Sequence, residues 1–307
     1  MTEISASLVK DLREKTGAGM MDCKKALAEN KGDIEAAIDW LRKKGLASAA
    51  KKSGRAAAEG LVSVGAAGNT AVVIELNSET DFVARNDQFQ KFLSDVTDIA
   101  LKNKISGIDA LKAVQLGAKT AEGTLTDLIA TIGENMNLRR MQLLSVPQGV
   151  VASYVHNMVV PNRGKIGVLV ALESTGDAGK LAALGRQLAM HVAASRPESL
   201  DVQSLNPDLI ARERSVFAEK AKQSGKPAEI VEKMVEGSLR KYYEQVVLLE
   251  QTFIIDGATK IKDVVANAAK DVGAPVKLSG FVRFELGEGV DKKQDDFAAE
   301  VAKMATG

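Results

Sequence analysis

The chain is short of the side chains from which most active sites are built. Its 307 residues include one cysteine, Cys23, and two histidines, His156 and His191. A lone cysteine can form neither an internal disulfide nor a cysteine-based zinc site. Histidines about 35 positions apart leave histidine metal clusters and His-dependent triads poorly supplied. Aromatics make up 4% of the chain, with Trp40 the sole tryptophan, against a hydrophobic fraction of 45%. The core must therefore be packed from small aliphatic side chains, and an aromatic outside an apolar pattern stands out. Net charge is almost absent as well. With 41 Lys and Arg against 40 Asp and Glu, no overall field draws the chain to nucleic acid or a membrane surface. No run of about 18 apolar residues occurs. The opening MTEISASLVKDLREKTG is amphipathic and carries acids, unlike a signal or transit peptide. A cytoplasmic protein is expected, with no metal or cofactor of its own and no direct binding of nucleotide, nucleic acid or membrane.

What is present is enough chain for two or three domains. Residues 1–55 read as a three-helix headpiece. Ser5 caps a first helix bearing Leu8, Val9 and Leu12 and ended by Gly17; Asp22 caps a second bearing Ala26 and Leu27 and ended by Gly32. Asp33 caps a third bearing Ile34, Ala37, Ile38 and Leu41, with Gly45 beyond it. Basic residues exceed acidic ones here by about four. KKSGRAAAEG, with Gly54 and Gly60, reads as a flexible joint.

The texture then changes to strands. Residues 56–146 contain a hairpin, GLVSVG and TAVVIELN, a helix over 87–102, more helix over 106–131 and the strand RRMQLLSV. The order repeats in a second unit, 147–205 with 247–286: hairpin strands GVVASYVH and KIGVLVALE, a helix over 177–194, a further helix over 259–271 and the strand KLSGFVRFELGEG. That strand alternates Phe281, Arg283 and Glu285 with Val282, Phe284 and Leu286. The pattern predicts an α+β core of duplicated design. Interrupting it, residues 206–246 predict two antiparallel helices. Asn206-Pro207 starts the first, SGKP forms the turn, and Ile230, Met234, Ser238 and Tyr242 line the return helix. Residues 287–307 read as a C-terminal module ending in the amphipathic DDFAAEVAKMA.

Catalytic motifs fail in turn. Every Gly-Lys pair lacks the Ser or Thr of a P-loop, NKGD at 30–33 has no P-loop to serve, and GEGV at 287–290 falls short of a dinucleotide fingerprint. His191 lies on an apolar helical stretch and reads as a hydrogen-bonded core residue or a base, while His156 lies near a polar turn and reads as a surface contact or a bystander. Cys23 sits beside Lys24 and Lys25, which would lower its pKa if it were reactive. Met20 and Met21, in GAGMMD, suit a protein-binding surface, with one turned in and one out. In NSETDFVARND, Phe82 beside Asp81 is either an inward anchor or a pair displayed for a partner.

Several long strings carry a resemblance: TGAGMMDCKKAL at 16–27, TDFVARND at 80–87, IGENMNLRR at 132–140, MHVAAS at 190–195, GKPAEIVEKMVEG at 225–237 and DFAAEVAKM at 296–304. Together they resemble bacterial elongation factor Ts, in that family's order along the whole chain. The resemblance implies a ubiquitin-associated-like headpiece, a two-part α+β core, a helical hairpin and a C-terminal module. It also implies guanine-nucleotide exchange on the GTPase elongation factor Tu, without covalent chemistry. By the same resemblance Thr80, Asp81, Phe82 and Val83 enter the GTPase and dislodge magnesium. Leu12, Met20, Met21, Ile132, Gly133, His156, Ile254 and Met304 make further contacts. Thr252 stands where the family pattern has Pro, and HNMVVPNRGKIG is longer than a compact turn, which bears on Ile254 and His156. Two other classes remain: an enzyme using Asp81 or His191 in a cleft, which the shortage of His and Cys disfavours, and a non-catalytic adaptor of the translation machinery. The headpiece alone would suit an adaptor, but the 250 or so residues behind it would go unexplained.

Overall fold

The computed structural model describes residues 4–16 and 18–290. The expected stop at Gly17, the C-terminal helix and Met304 lie outside them. Helices α1 (Ala6–Thr16), α2 (Met20–Glu29) and α3 (Ile34–Lys52) form the N-terminal unit. Ser5 Oγ accepts from the Leu8 amide and Asp33 Oδ1 from the Ala36 amide, satisfying donors that a helix start leaves without partners. The three apolar faces close on Val9, Leu12, Cys23, Ala26, Leu27 and Ala37.

Two local expectations are corrected here. Asp22 is not the cap of α2; the helix starts at Met20 after Gly19, and Asp22 lies in its first turn, where a negative charge suits the helix dipole. Nor does α3 stop at Gly45. It continues to Lys52 because the missing side chain admits a neighbouring helix: a Cβ on Gly45 would lie 3.3 Å from the Cβ of Ala130. The headpiece is thus docked on the core by its own third helix, and Ala49 packs against the core cluster beneath. The expected joint of 51–60 is correspondingly shortened to residues 53–58, between the end of α3 and the start of β1. Gly60 already belongs to β1 (Glu59–Ala67), has φ +117°, and faces the Leu76 carbonyl so closely that a Cβ would lie 2.2 Å from its oxygen.

From β1 the chain turns into β2 (Thr70–Ser78), passes a 3-10 turn at Val83–Arg85, and enters α4 (Asp87–Lys102), whose bounds match the expected 87–102. The helix expected over 106–131 comes as two pieces, α5 (Ile108–Ala113) and α6 (Ala121–Ile132). They are split by a small hairpin, β3 (Gln115–Leu116) and β4 (Lys119–Thr120), turning at Gly117 with φ +70°. Strand β5 (Met136–Ser145) follows, then the hairpin β6 (Gly149–Val160) and β7 (Arg163–Glu173), and α7 (Ala178–Ser195). Strand β6 outruns its expected end at His156, because Asn157 takes φ +51° beside a bulge and the pairing resumes beyond it.

Helices α8 (Pro207–Lys222) and α9 (Ala228–Val246) form an antiparallel pair with a core of its own, Ala221, Val235 and Leu239 flanked by Ile210, Phe217 and Met234. Asn206 Oδ1 caps α8 through the Asp208 amide. The expected stripe on α9 is rotated: Ile230 is exposed, and Val235 and Leu239 face inward. Helix α10 (Ile261–Val272) and strand β8 (Lys277–Glu285) complete the described chain.

All six long strands join one antiparallel sheet, ordered β5-β2-β1-β7-β6 with β8 also on β7. Strand β1 meets β7 only at Val62 and Ser63, so the sheet divides into β1-β2-β5 and β6-β7-β8. One face of each part meets the other across Val62, Val64, Val73, Val151, Leu169 and Ala171, with Val282 and Phe284 of β8 packed alongside. The opposite face of the first part packs on α4 and α6; that of the second packs on α7 and α10, with Phe281 on that side. Both parts use the same devices. Each hairpin begins at a glycine pressed against a carbonyl, Gly60 or Gly149, and each third strand meets a bulge before a matching leucine, Leu76 or Leu172.

The apolar rule breaks at the inner end of β2, at Glu75 and Asn77. Glu75 is fully buried, and its carboxylate accepts from the Gly287 amide at 2.9 Å, from Asn77 and Arg139 at 3.0 Å, and from Arg140 Nε. Burial pushes its pKa up, but the bonds from Gly287, Asn77 and Arg140 outweigh it and hold the group below its ordinary value. Arg140 also donates to the Glu285 carbonyl and stacks 4.2 Å from the Phe284 ring centre. The ion group therefore ties the end of β8 to β2 and β5.

Candidate functional site

The junction between β2 and α4 displays the most exposed large apolar side chain among the described residues. Phe82 is 78% exposed, and Asp81 beside it is exposed too. An exposed phenylalanine on a loose loop would mean little. This one is fixed on both sides.

On its C-terminal side Val83 and Ala84 are buried against α4 and α6, Phe82's own carbonyl accepts from the Arg85 amide at 3.1 Å, and Asn86 caps α4. On its N-terminal side, Glu134 Oε2 accepts from the Thr80 amide at 2.9 Å and its Oε1 accepts from the Thr80 hydroxyl at 2.6 Å. Ser78 Oγ donates to the Thr80 carbonyl at 2.8 Å. The backbone ladder of β2 and β5 ends at Ser78 opposite Met136, and the next two pairs along the same register are joined by carboxylates instead. Glu79 reaches the Asn135 amide, and Glu134 reaches Thr80 in return. Arg55 bonds to Glu79, and Asn135 Nδ2 donates to the Arg55 carbonyl at 2.8 Å, so the segment entering β1 is tied in as well. Two exposed residues thus sit between two anchors.

This arrangement brings Thr80–Phe82 together with Ile132 and Gly133, which immediately precede Glu134. Gly133 ends α6 in the left-handed region at φ +93°, with its surface open, and Ile132 is half-buried. Val83 departs from its expected role as a contact: its side chain belongs to the core and supports the tip from below. Leu12 likewise is fully buried in the headpiece. Met20 and Met21 were expected one in and one out; both are exposed, at 46% and 77%, because the small core is already filled by Leu12, Cys23 and Leu27. His156 is exposed on β6 with Nδ1 3.2 Å from Tyr154 Oη, next to exposed Met158 and Val159.

Ile254 is 45% exposed and followed by exposed Ile255. Beneath them His191 is fully buried, where it accepts from the Ile254 amide at Nδ1 and donates from Nε2 to Gln251 at 2.9 Å. Burial pushes its pKa below 6.5, an effect partly opposed by the Gln251 bond. His191 therefore serves as a neutral strut of the Ile254 loop. Cys23 is buried and its thiol is pushed up by burial, opposite to the shift a reactive thiol needs.

A pocket enzyme would gather its groups in a cleft. Asp81 projects into solvent, and the two depressions of note, about 520 Å³ beside α4 and about 670 Å³ between β6 and α7, contain neither His nor Cys. Among the described residues no three His, Cys, Asp or Glu side chains cluster to hold a metal, and no helix is long and apolar enough to cross a membrane.

Glu134 was missed as a site residue, though a signal existed. It follows the C-terminal end of α6, where the helix dipole disfavours anions, and that last turn holds no basic residue. An acid placed there needs donors from elsewhere in the fold.

An aromatic tip anchored at both ends, with further exposed apolar pairs on separate elements, has the form of a binding surface and not of an enzyme's cleft. A family model described as Elongation factor TS matches residues 79–288. Elongation factor Ts of Rhodospirillum centenum is 63% identical over 307 residues, covering 99% of this chain and 100% of that protein. The proteins of the same name from Paramagnetospirillum magneticum and Caulobacter vibrioides are 60% and 58% identical, each over 99% of this chain and covering 98% and 99% of those proteins. The chain belongs to the elongation factor Ts family, whose role in translation elongation is nucleotide exchange.

Proposed function

We propose that this chain binds elongation factor Tu in its GDP form and speeds GDP release by inserting Asp81 and Phe82 beside the nucleotide site, displacing magnesium. The observation that carries this reading is the exposed Phe82 held between the Thr80 clamp and the buried Val83. Magnesium demands near-ideal octahedral geometry and bridges phosphate oxygens, so a small displacement of the surrounding loops weakens the hold on nucleotide. Burying the Phe82 ring in the partner contributes about 1.5–3 kcal/mol, enough to stabilise a loop in a distorted position.

The nucleotide is the partner's, which accords with the lack of a P-loop in this chain. Met20 and Met21, Ile132 with Gly133, His156 and Ile254 supply the other contacts, with Leu12 and Val83 acting from beneath. Several separated contacts give the tip a fixed base to push against. Linkage makes the effect reciprocal: by whatever factor this protein weakens GDP binding, GDP weakens its own binding, and incoming nucleotide ends the complex. The test is stopped-flow release of labelled GDP from elongation factor Tu with and without this protein. Acceleration that saturates with its concentration is expected; an unchanged rate would refute the reading.

A further inference from the structure

We propose that Glu134 is the positioning residue of the Asp81–Phe82 tip, acting through Thr80. The inference rests on the exchange reading above and assigns the rigidity of the tip to a residue 54 positions away in sequence.

Three observations converge on it. Both carboxylate oxygens of Glu134 are spent on Thr80, one on its amide and one on its hydroxyl. The second bond, at 2.6 Å, is a short charge-assisted contact of the stronger kind. No Lys or Arg forms an ion pair with Glu134 among the described residues, so the group has no competing role in a charge network. Finally, Glu134 stands directly after the left-handed Gly133 that ends α6, a fixed point from which the side chain spans to the neighbouring strand end.

The consequence is mechanical. With Thr80 held and Val83 buried, only Asp81 and Phe82 lie between fixed points. Contact energy gained by Phe82 then goes into moving the partner's loop instead of ordering its own. Without Glu134, residues 79–82 gain backbone freedom that must be removed on docking. The cost falls on the exchange step more than on association, because the other contact points are untouched.

The test compares Glu134→Ala, Glu134→Gln, Thr80→Val and Phe82→Ala in the full chain by stopped-flow GDP release over a range of concentrations. It is joined by the melting temperature and by the hydrogen-exchange rate of the Thr80 amide in the free protein. Glu134→Ala is expected to lower the maximal release rate about tenfold while shifting the half-saturating concentration less than about threefold. The Thr80 amide should exchange faster and the melting temperature change little. Glu134→Gln can still accept from the amide and donate to the hydroxyl, and should recover most of the rate. Thr80→Val, which loses the hydroxyl alone, should cost about threefold and nothing further when added to Glu134→Ala. A maximal rate unaffected by Glu134→Ala and Thr80→Val, while Phe82→Ala slows release, overturns the positioning role. So does a loss that appears only as a lower melting temperature and that Gln does not rescue. If Phe82→Ala itself leaves release unchanged, the exchange reading fails and takes this role with it, and the Thr80 amide still reports whether the clamp exists.

Discussion

The two halves of the core leave their hairpins differently. In the first, the chain passes from β2 to α4 through residues 79–86 and displays Phe82. In the second, it passes from β7 to α7 through residues 174–177 and is held against the end of α10 at Val272. The Asp177 amide bonds to the Val272 carbonyl, and Gly176 lies so close that a Cβ would be 2.4 Å from Val272 Cγ1. Similar hairpins, with the same opening glycine and bulge, thus end in one open junction and one closed one. A backbone bond and the close approach of Gly176 to Val272 hold the second against α10; at the first, Val83 and Ala84 point inward, Thr80 and Glu79 are bonded across to Glu134 and Asn135, and Phe82 is left outside. Display of a large aromatic is compatible with stability when the neighbours on either side are anchored.

Four measurements would break or sharpen this contrast. The largest effect is expected at the closed junction, where Gly176→Val would force Val272 aside and cost about 3 kcal/mol of unfolding free energy in urea titration. An unchanged midpoint would mean that the junction is not packed as described. Phe82→Ala at the open junction should do the reverse. Stability should stay within about 0.5 kcal/mol, while GDP release slows about thirtyfold, the equivalent of about 2 kcal/mol of lost contact. A large drop in stability would make Phe82 a core residue after all.

A smaller effect separates the halves by pH. His191, in the second half, has its folded pKa below its ordinary 6.5, so the unfolded chain binds its proton first as the solution is acidified. The stability it contributes is present above pH 6.5 and is lost as pH falls through the lowered folded value, each tenfold difference in proton affinity between the two states being worth about 1.4 kcal/mol. His191→Gln should flatten that part of the stability curve. A curve of unchanged slope would show that burial does not depress this group. Least of all, Met21→Ser should leave stability within about 0.5 kcal/mol and weaken association a few-fold by titration calorimetry. Equal affinity would remove Met21 from the docking surface.

Much of the fold was legible because its signals are short-range. Helix α4 is legible because Phe89, Phe92, Leu93 and Val96 recur at helical spacing directly after Asn86, which caps it. The two faces of β8 followed from strict alternation. Errors arose where a distant neighbour decided. Gly45 reads as a helix stop unless Ala130 is known to lie against it, and Asn157 reads as a turn unless a bulge absorbs it. The rotated stripe on α9 escaped notice because its sequence offers apolar residues on two adjacent faces, and only packing on α8 selects between them.

The candidate site divides along the same line. Sequence alone determined that the chain is poor in catalytic side chains, that Phe82 sits beside Asp81 at a strand-to-helix junction, and that two methionines stand side by side between the first two helical patterns. These are matters of composition and of neighbours within a helical turn. Only the tertiary structure decided that Phe82 faces water while Val83 does not, that both methionines are exposed, and that Glu134 holds Thr80 from across the sheet edge. Those outcomes depend on volumes already filled and on donors brought together over 54 residues of chain, which no local pattern encodes.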